Sequence, residues 1–343
     1  MALRSENLTY LDIEISTTCQ AGCLDCVRTH YDHKTNKYYS AESWHPYFNK
    51  LYPLDAFEKH IKQFATDREV VVIFCGNSGD PFSHPQLTQM ADVIKRNFPN
   101  GYLEIETNGG LGKLSTFESL AEQKVAVKFS IDGLEDTNHI YRRNVKWESV
   151  MRNAKHFISK GGEAIWDTID FPWTLHQREE IRKKANDMGF YKFEVSPRSN
   201  PDLDDQIYDF KDTKVMPAPD GFIVDQKHWK VRKDWFSKNF IKPLCKTDFV
   251  GNTGNADNFF LAGDGTVWPC CLTEQMRYRK DEPDYQRWLQ LEAKNGNNWN
   301  SLYHHNLQEI LDTNWYKQDL ESSWKNAKLM KYCIQKCGAC LTS

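Results

Sequence analysis

Apolar and polar positions alternate over short stretches bounded by Gly, Asn and Pro, the pattern of β-strands. These stretches are Tyr10–Ile15, Val70–Cys75, Tyr102–Glu106, Val125–Ile131, Glu163–Ile169 and Lys192–Val195. Helical periodicity fills the gaps. In SHPQLTQMADVIKRNF, Leu87, Met90, Ala91, Ile94 and Phe98 share one face, and Ser83 stands where an N-cap belongs. ESVMRNAKHFISKG and TLHQREEIRKKANDMGF predict two later helices, each closing at or near a glycine. Repeated strand–helix units imply a parallel sheet with right-handed crossovers. Six units fall short of the eight that close a barrel, so the fold class is α/β, an open partial (β/α)6 barrel. Its site belongs at the C-terminal ends of the strands.

Over 201–240 the pattern weakens into DLDDQ, MPAPDG and a Trp/Lys-rich run, which reads as a linker with helical segments. Beyond it, FFLAGDGTVWPCC predicts a β-hairpin, Phe259–Leu261 and Val267–Pro269 flanking an Ala-Gly-Asp-Gly turn. A helix is expected around Asn306–Trp315, and three cysteines close the chain. The domain expectation is a barrel over 1–200, a linker over 201–240 and a small α+β domain over 241–343. No repeat or low-complexity tract interrupts it.

Composition removes several classes. No apolar run approaches the roughly 18 residues that span a membrane, and MALRSENLTYLDIEIS lacks the layout of a signal peptide. Lys and Arg number 44 against 47 Asp and Glu, a net charge of −3. That balance makes no case for nucleic acid or an anionic membrane. Ten cysteines change the picture. Without an export signal the chain is expected in the reducing cytoplasm, where closely spaced cysteines bind metal or perform redox chemistry. Cys19-x₃-Cys23-x₂-Cys26 places three thiols on the loop after the first strand. Structural zinc favours four thiolates from paired C-x₂-C knuckles. Three sulfurs instead hold three corners of a [4Fe–4S] cubane and leave one iron open to substrate. Zinc completed by His30 is the alternative.

The stretch IEISTTCQAGCLDC resembles the signature of the radical S-adenosylmethionine (SAM) superfamily, C-x₃-C-x₂-C after the first strand. The resemblance implies that the open iron chelates the amino and carboxylate groups of SAM. Electron transfer then cleaves SAM to methionine and a 5′-deoxyadenosyl radical, which abstracts hydrogen from a substrate. It also implies a flavodoxin- or ferredoxin-type electron donor. Downstream, FCGNSGDPFSHP resembles the superfamily's Gly-Gly-Glu-Pro motif, which holds the SAM amino group, with Ser78-Gly79-Asp80-Pro81 in register. Ser78 replaces the first Gly and Asp80 the Glu, while Gly76 and Gly79 let backbone approach a ligand closely. Thr107 and Asn108 in ETNGG, and Ser130 and Asp132 in FSIDG, emerge at the next strand ends, where turn formers and helix caps also occur. FSIDGLEDTNHIYRR resembles the fourth-strand segment of the peptide-modifying branch. There the Ser and a later Arg contact the SAM ribose and carboxylate, here Ser130 and Arg142, with Arg143 the alternate. A guanidinium fork suits a carboxylate.

Cys245, Cys270-Cys271 and Cys333-x₃-Cys337-x₂-Cys340 supply six thiols, enough for one fully ligated [4Fe–4S] cluster but not two. The arrangement resembles the SPASM/twitch extension, which implies an auxiliary cluster on Cys245, Cys270, Cys337 and Cys340. Cys333 competes with Cys337, and zinc is the alternative occupant. Cys75 reads as a small core hydrophobe. In resembling enzymes the position of Cys271 hosts the residue that takes a proton from a substrate radical or gives it a hydrogen atom. A thiol there suits epimerisation or another redox-neutral reaction; a spare core thiol or a cluster ligand is the plain alternative. Trp166, Asp170, Trp173, Arg198 and Glu274 are further candidates for the cavity.

The resemblance implies modification of a peptide or peptide-like substrate by oxidation, crosslinking or epimerisation. The chain starts almost at its first strand, leaving no room for an N-terminal leader-recognition domain, which weakens a ribosomal peptide substrate. The second reading is a dehydrogenase or epimerase of a small molecule such as a sugar or aminocyclitol. The third is a non-catalytic metal-binding protein that keeps the fold.

Overall fold

β1 (Leu8–Ile13) starts a sheet that β4 (Val71–Phe74), β5 (Tyr102–Thr107), β6 (Ala126–Ser130), β7 (Ala164–Ile169) and β8 (Lys192–Ser196) extend in chain order, every neighbouring pair parallel. β2 (Thr29–Asp32) and β3 (Lys37–Ser40) form a separate antiparallel pair after the cysteine loop. The structure, a computed structural model, describes residues 3–23, 26–32, 37–40, 47–171, 173–196, 257–277 and 283–325. Between the parallel strands run α1 (Leu54–Ile61), α2 (Leu87–Asn97), α3 (Leu114–Glu122), α4 (Asn138–Tyr141), α5 (Trp147–Ser159) and α6 (Arg178–Met188). The open parallel sheet with crossover helices is the expected architecture.

The core lies between sheet and helices. Leu11 and Ile13, Val72 and Phe74, Leu103 and Ile105, Val127 and Phe129 alternate onto the helix-facing side and are fully or almost fully buried. α2 meets them with Leu87, Met90, Ala91 and Ile94, and Phe98 follows at 0% exposure. Each such side chain contributes about 1.5–3 kcal/mol by leaving water. α6 stops at Gly189, whose φ of 85° is the left-handed conformation that closes helices. Ser83 does not cap α2. Gln86 is the N-cap, without a side-chain bond. Pro81 instead nucleates a short 3₁₀ turn, Pro81–Ser83, capped by Asp80.

The predicted C-terminal hairpin forms from β9 (Asp257–Leu261) and β10 (Val267–Trp268), antiparallel to each other. It does not stand apart from the barrel. β9 pairs parallel with β1, giving an eight-stranded sheet ordered β10-β9-β1-β4-β5-β6-β7-β8. Beyond it a helix over Leu307–Leu311 is held by a capping box of Asn306 and Glu309, and Trp268, Trp288, Trp299 and Trp315 cluster. The linker over 201–240 lies outside the described residues. Among the described residues no helix is long and apolar enough to cross a membrane.

Candidate active site

The chain leaves β1 at the barrel mouth and turns into the cysteine loop. Cys23 is buried, and Cys19 and Cys26 are half-buried. Each sulfur faces an N–H donor. Cys19 Sγ accepts from the Ala21 amide at 3.4 Å and Asn108 Nδ2 at 3.6 Å. Cys26 Sγ accepts from the Arg28 amide at 3.4 Å, and Cys23 Sγ lies 3.9 Å from Arg142 Nη1. Burial pushes the Cys26 thiol up to about 12 and raises Cys19 and Cys23 as well. Donors aimed at sulfur stabilise thiolates that ligate iron, so this donor set fits a cluster. Among the described residues no three His, Cys, Asp or Glu side chains converge as a single metal ion requires. A cubane asks less of them, because each thiolate ligates its own iron.

The turn after β4 is bound to that loop. The Asp80 amide donates to the Thr18 carbonyl at 2.8 Å, and the Ser78 amide to Glu14 Oε2 at 2.8 Å. Gly79 is needed here, since a Cβ would run into the Ser16 carbonyl. Asp80 is 2% exposed. Its carboxylate accepts from the Phe82 and Asn108 amides at 2.9 Å each, from Thr107 Oγ1 at 3.0 Å and from Asn108 Nδ2 at 2.5 Å. Gln20 Nε2 donates to Asn108 Oδ1 at 2.7 Å. Asp80, Thr107 and Asn108 are thus bonded to one another with Asn108 against Cys19, while Gly79 packs on Ser16 and Gly76 on the Gly79 carbonyl.

A second anchor stands after β6, where Ser130 is half-buried at the strand's last position. Asp132 is 0% exposed; its carboxylate accepts from Arg142 Nε at 2.5 Å and the Ile169 amide at 2.7 Å. Arg142 therefore lies between Asp132 and Cys23, its guanidinium 5.2 Å from the Tyr141 ring. Arg143 contributes its carbonyl, which accepts from the Gly22 amide at 3.0 Å.

The side of the sheet opposite the helices is charged. On β1 and just past its end, Tyr10, Asp12 and Glu14 alternate with Leu11 and Ile13. On β5 and β6, Glu104, Glu106 and Lys128 do the same, with Lys128 Nζ at 2.7 Å from Glu104 and 3.3 Å from Glu194. Burial raises Asp12 to about 6 and Glu106 to about 7. Cys75 is 2% exposed in the core, accepting from Asn77 Nδ2 at 3.3 Å. Cys271 opens a short helix, Cys271–Glu274. Burial and then Asp12, Cys270, Glu274 and Glu14 raise its pKa well above the usual thiol value. Cys270 is that helix's N-cap, its Sγ 3.7 Å from Thr273 Oγ1.

The other candidates divide. Trp166 does not line a cavity: it is 0% exposed on the helix side, against Phe190, with Nε1 donating to the Ile131 carbonyl at 3.1 Å. Asp170 pairs with Arg178, Trp173 stacks on Phe171 and packs with it against Cys23, Cys26 and Tyr141 beside the cysteine loop, and Glu274, in the helix that Cys271 opens, pairs with Arg277. Cys245, Cys333, Cys337, Cys340 and Arg198 lie outside the described residues, as does the side chain of His30. Arg28, outside every sequence motif, donates to the Thr17 and Ser78 carbonyls and to Asn49 Oδ1, tying the cysteine loop to the Ser78 turn. Asp12 and Glu14 also belong to no motif. Their signal is charge at alternate positions of a strand that parallel sheets normally keep apolar throughout.

A sequence model described as the radical SAM superfamily matches residues 13–185. No curated protein matches the chain. Among solved structures, anSMEcpe with bound AdoMet and Cp18Cys peptide superposes with a TM-score of 0.58 at 15% identity, over 96% of this chain and 88% of that one. Streptococcus suis SuiB gives 0.55 at 14% identity, over 93% and 68%. SuiB bound to precursor peptide SuiA gives 0.56 at 15%, over 97% and 72%. At these identities the likeness is one of fold.

Proposed function

The chain belongs to the radical SAM superfamily, enzymes that use SAM and a [4Fe–4S] cluster, and on that premise we propose that it modifies a peptide or peptide-like substrate by hydrogen abstraction. The reading rests most on one observation: three thiols, each facing an N–H donor, meet two buried carboxylate anchors at the C-terminal ends of the strands. Held by Cys19, Cys23 and Cys26, the cluster with SAM supplies the 5′-deoxyadenosyl radical. Asp80 fixes the Gly76–Gly79 turn so that its backbone receives the SAM ammonium. Asp132 orients Arg142, and with Ser130 that guanidinium takes the carboxylate and ribose. Thr107 and Asn108 complete the wall beside Cys19.

The C-terminal region is read as a SPASM/twitch-type domain with an auxiliary [4Fe–4S] cluster on Cys245, Cys270, Cys337 and Cys340. Cys271, beside the proposed cluster ligand Cys270, is assigned as hydrogen-atom donor to the substrate radical. The thiyl it becomes regains one electron and one proton, the electron from a flavodoxin- or ferredoxin-type donor. The peptide preference over a sugar or aminocyclitol follows the company of the fold, since SuiB is seen with precursor peptide SuiA and anSMEcpe with Cp18Cys peptide.

Anaerobically reconstituted protein should hold about seven to eight irons per chain, whereas about four would remove the auxiliary cluster. Given SAM and dithionite, short peptides should stimulate 5′-deoxyadenosine release more than aminocyclitols do. Stimulation by aminocyclitols alone would overturn the peptide reading.

A further inference from the structure

A hydrogen bond donated to a ligating sulfur draws charge from it and so favours the reduced state of an iron–sulfur cluster. Cys26 Sγ faces the Arg28 backbone amide, and Cys23 Sγ the Arg142 guanidinium. Cys19 differs, because besides the Ala21 amide it meets a neutral side-chain amide, Asn108 Nδ2 at 3.6 Å. Asn108 is 6% exposed, and its partners fix which way the amide points. Oδ1 accepts from Gln20 Nε2 at 2.7 Å and from the Gly110 amide at 2.9 Å. The Asp80 carboxylate, an acceptor only, takes one Nδ2 proton at 2.5 Å. Among the described residues the second proton has Gln20 Oε1 at 3.4 Å and Cys19 Sγ within reach. The turn beneath is fastened as well. Its Gly109 and Leu111 carbonyls accept from Asn153 Nδ2, fully buried on α5, at 2.9 and 3.0 Å.

We propose that Asn108, held by Asp80, donates its second Nδ2 proton to the Cys19 thiolate and so raises the reduction potential of the cluster on Cys19, Cys23 and Cys26. The inference rests on the cluster in the reading above and is independent of which substrate is modified. As a thiol, Cys19 itself donates toward Gln20 Oε1 at 3.7 Å. Ligation to iron removes that proton, and the anionic sulfur then outcompetes the neutral Gln20 carbonyl as acceptor. Asp80 acts as the positioning residue, since it binds both the Asn108 backbone amide, at 2.9 Å, and Nδ2. Reduction adds one electron from the flavodoxin- or ferredoxin-type donor, and no protein bond forms or breaks. The reduced cluster is more negative by one charge, so it gains more from the donor than the oxidised one does. Asn108 is also the donor whose loss changes no charge, which separates hydrogen bonding from Coulomb effects.

The test is the midpoint potential of that cluster, followed by electron paramagnetic resonance as anaerobically reconstituted protein is titrated without SAM. The relevant signal is the one that Cys23→Ala lacks. Asn108→Leu keeps the size of the side chain and removes the donor. Its cluster should be about tenfold harder to reduce, a potential lower by about 59 mV for one electron. Asn108→Met, equally without a donor, should fall as far and serves if the leucine variant does not fold. A fall of less than about threefold, or a rise, overturns the proposal. Loss of the signal from both variants also overturns it, because Asn108 would then be needed to assemble the cluster rather than to set its potential. A parent without the signal faults this proposal and the radical reading together. A parental cluster whose potential the variants share faults the proposal alone.

Discussion

Asp80 is the residue on which the site's geometry most depends. Its buried carboxylate gathers donors from Phe82, Thr107 and Asn108, joining the ends of β4 and β5. Removing it strands those donors, each at a cost of about 1–3 kcal/mol. Asp80→Ala should therefore lose about 3–5 kcal/mol in a denaturant titration, and a loss below about 0.5 kcal/mol would show that the anchor is incidental. Asp12 and Glu106 act oppositely. Burial lifts their folded pKa values to about 6 and about 7, so across that window the folded chain binds more protons than the unfolded one. Stability from this source is full at low pH and is lost as pH rises through the folded values. Melting temperature should fall between about pH 4 and 7, and fall less in Asp12→Asn; a rise would contradict the assignment.

Among elements, the parallel strands were legible because their helix-facing residues alternate cleanly and glycines or prolines bound them. The cysteine loop was legible by spacing alone. Asp12 and Glu14 hid inside a strand pattern where only their charge was unusual. Arg28 showed no signal, because its partners are backbone carbonyls from two distant turns. β2 and β3, four residues each, are too short for periodicity to register. The hairpin's turn was readable, but not its pairing with β1, which joins strands about 250 residues apart. Ser83 misled as an N-cap because Pro81 starts a turn of its own before α2. At this scale Gly79→Ala is the sharpest probe. Its methyl cannot coexist with the Ser16 carbonyl, so the Ser78 turn and the cysteine loop must part. Iron bound per chain after reconstitution should drop by about half, and parental iron content would show the two elements to be independent.

For the whole molecule, one sheet carries both the mouth where the cysteine loop sits and the hairpin, paired to β1 through β9, that leads into Cys270 and Cys271. That continuity puts the proposed radical source and the proposed donor thiol on the same framework. If the framework works this way, Cys271→Ser should still cleave SAM yet lose the redox-neutral product, and product formed at the parental rate would discard the thiol's role. All of it depends on SAM cleavage at the Cys19–Cys26 loop. The most direct measurement is 5′-deoxyadenosine formed by anaerobically reconstituted protein given SAM and dithionite, beside Cys23→Ala. The parent should form it and the variant should not; none from a parent carrying its full complement of iron, or equal amounts from both, would contradict the account.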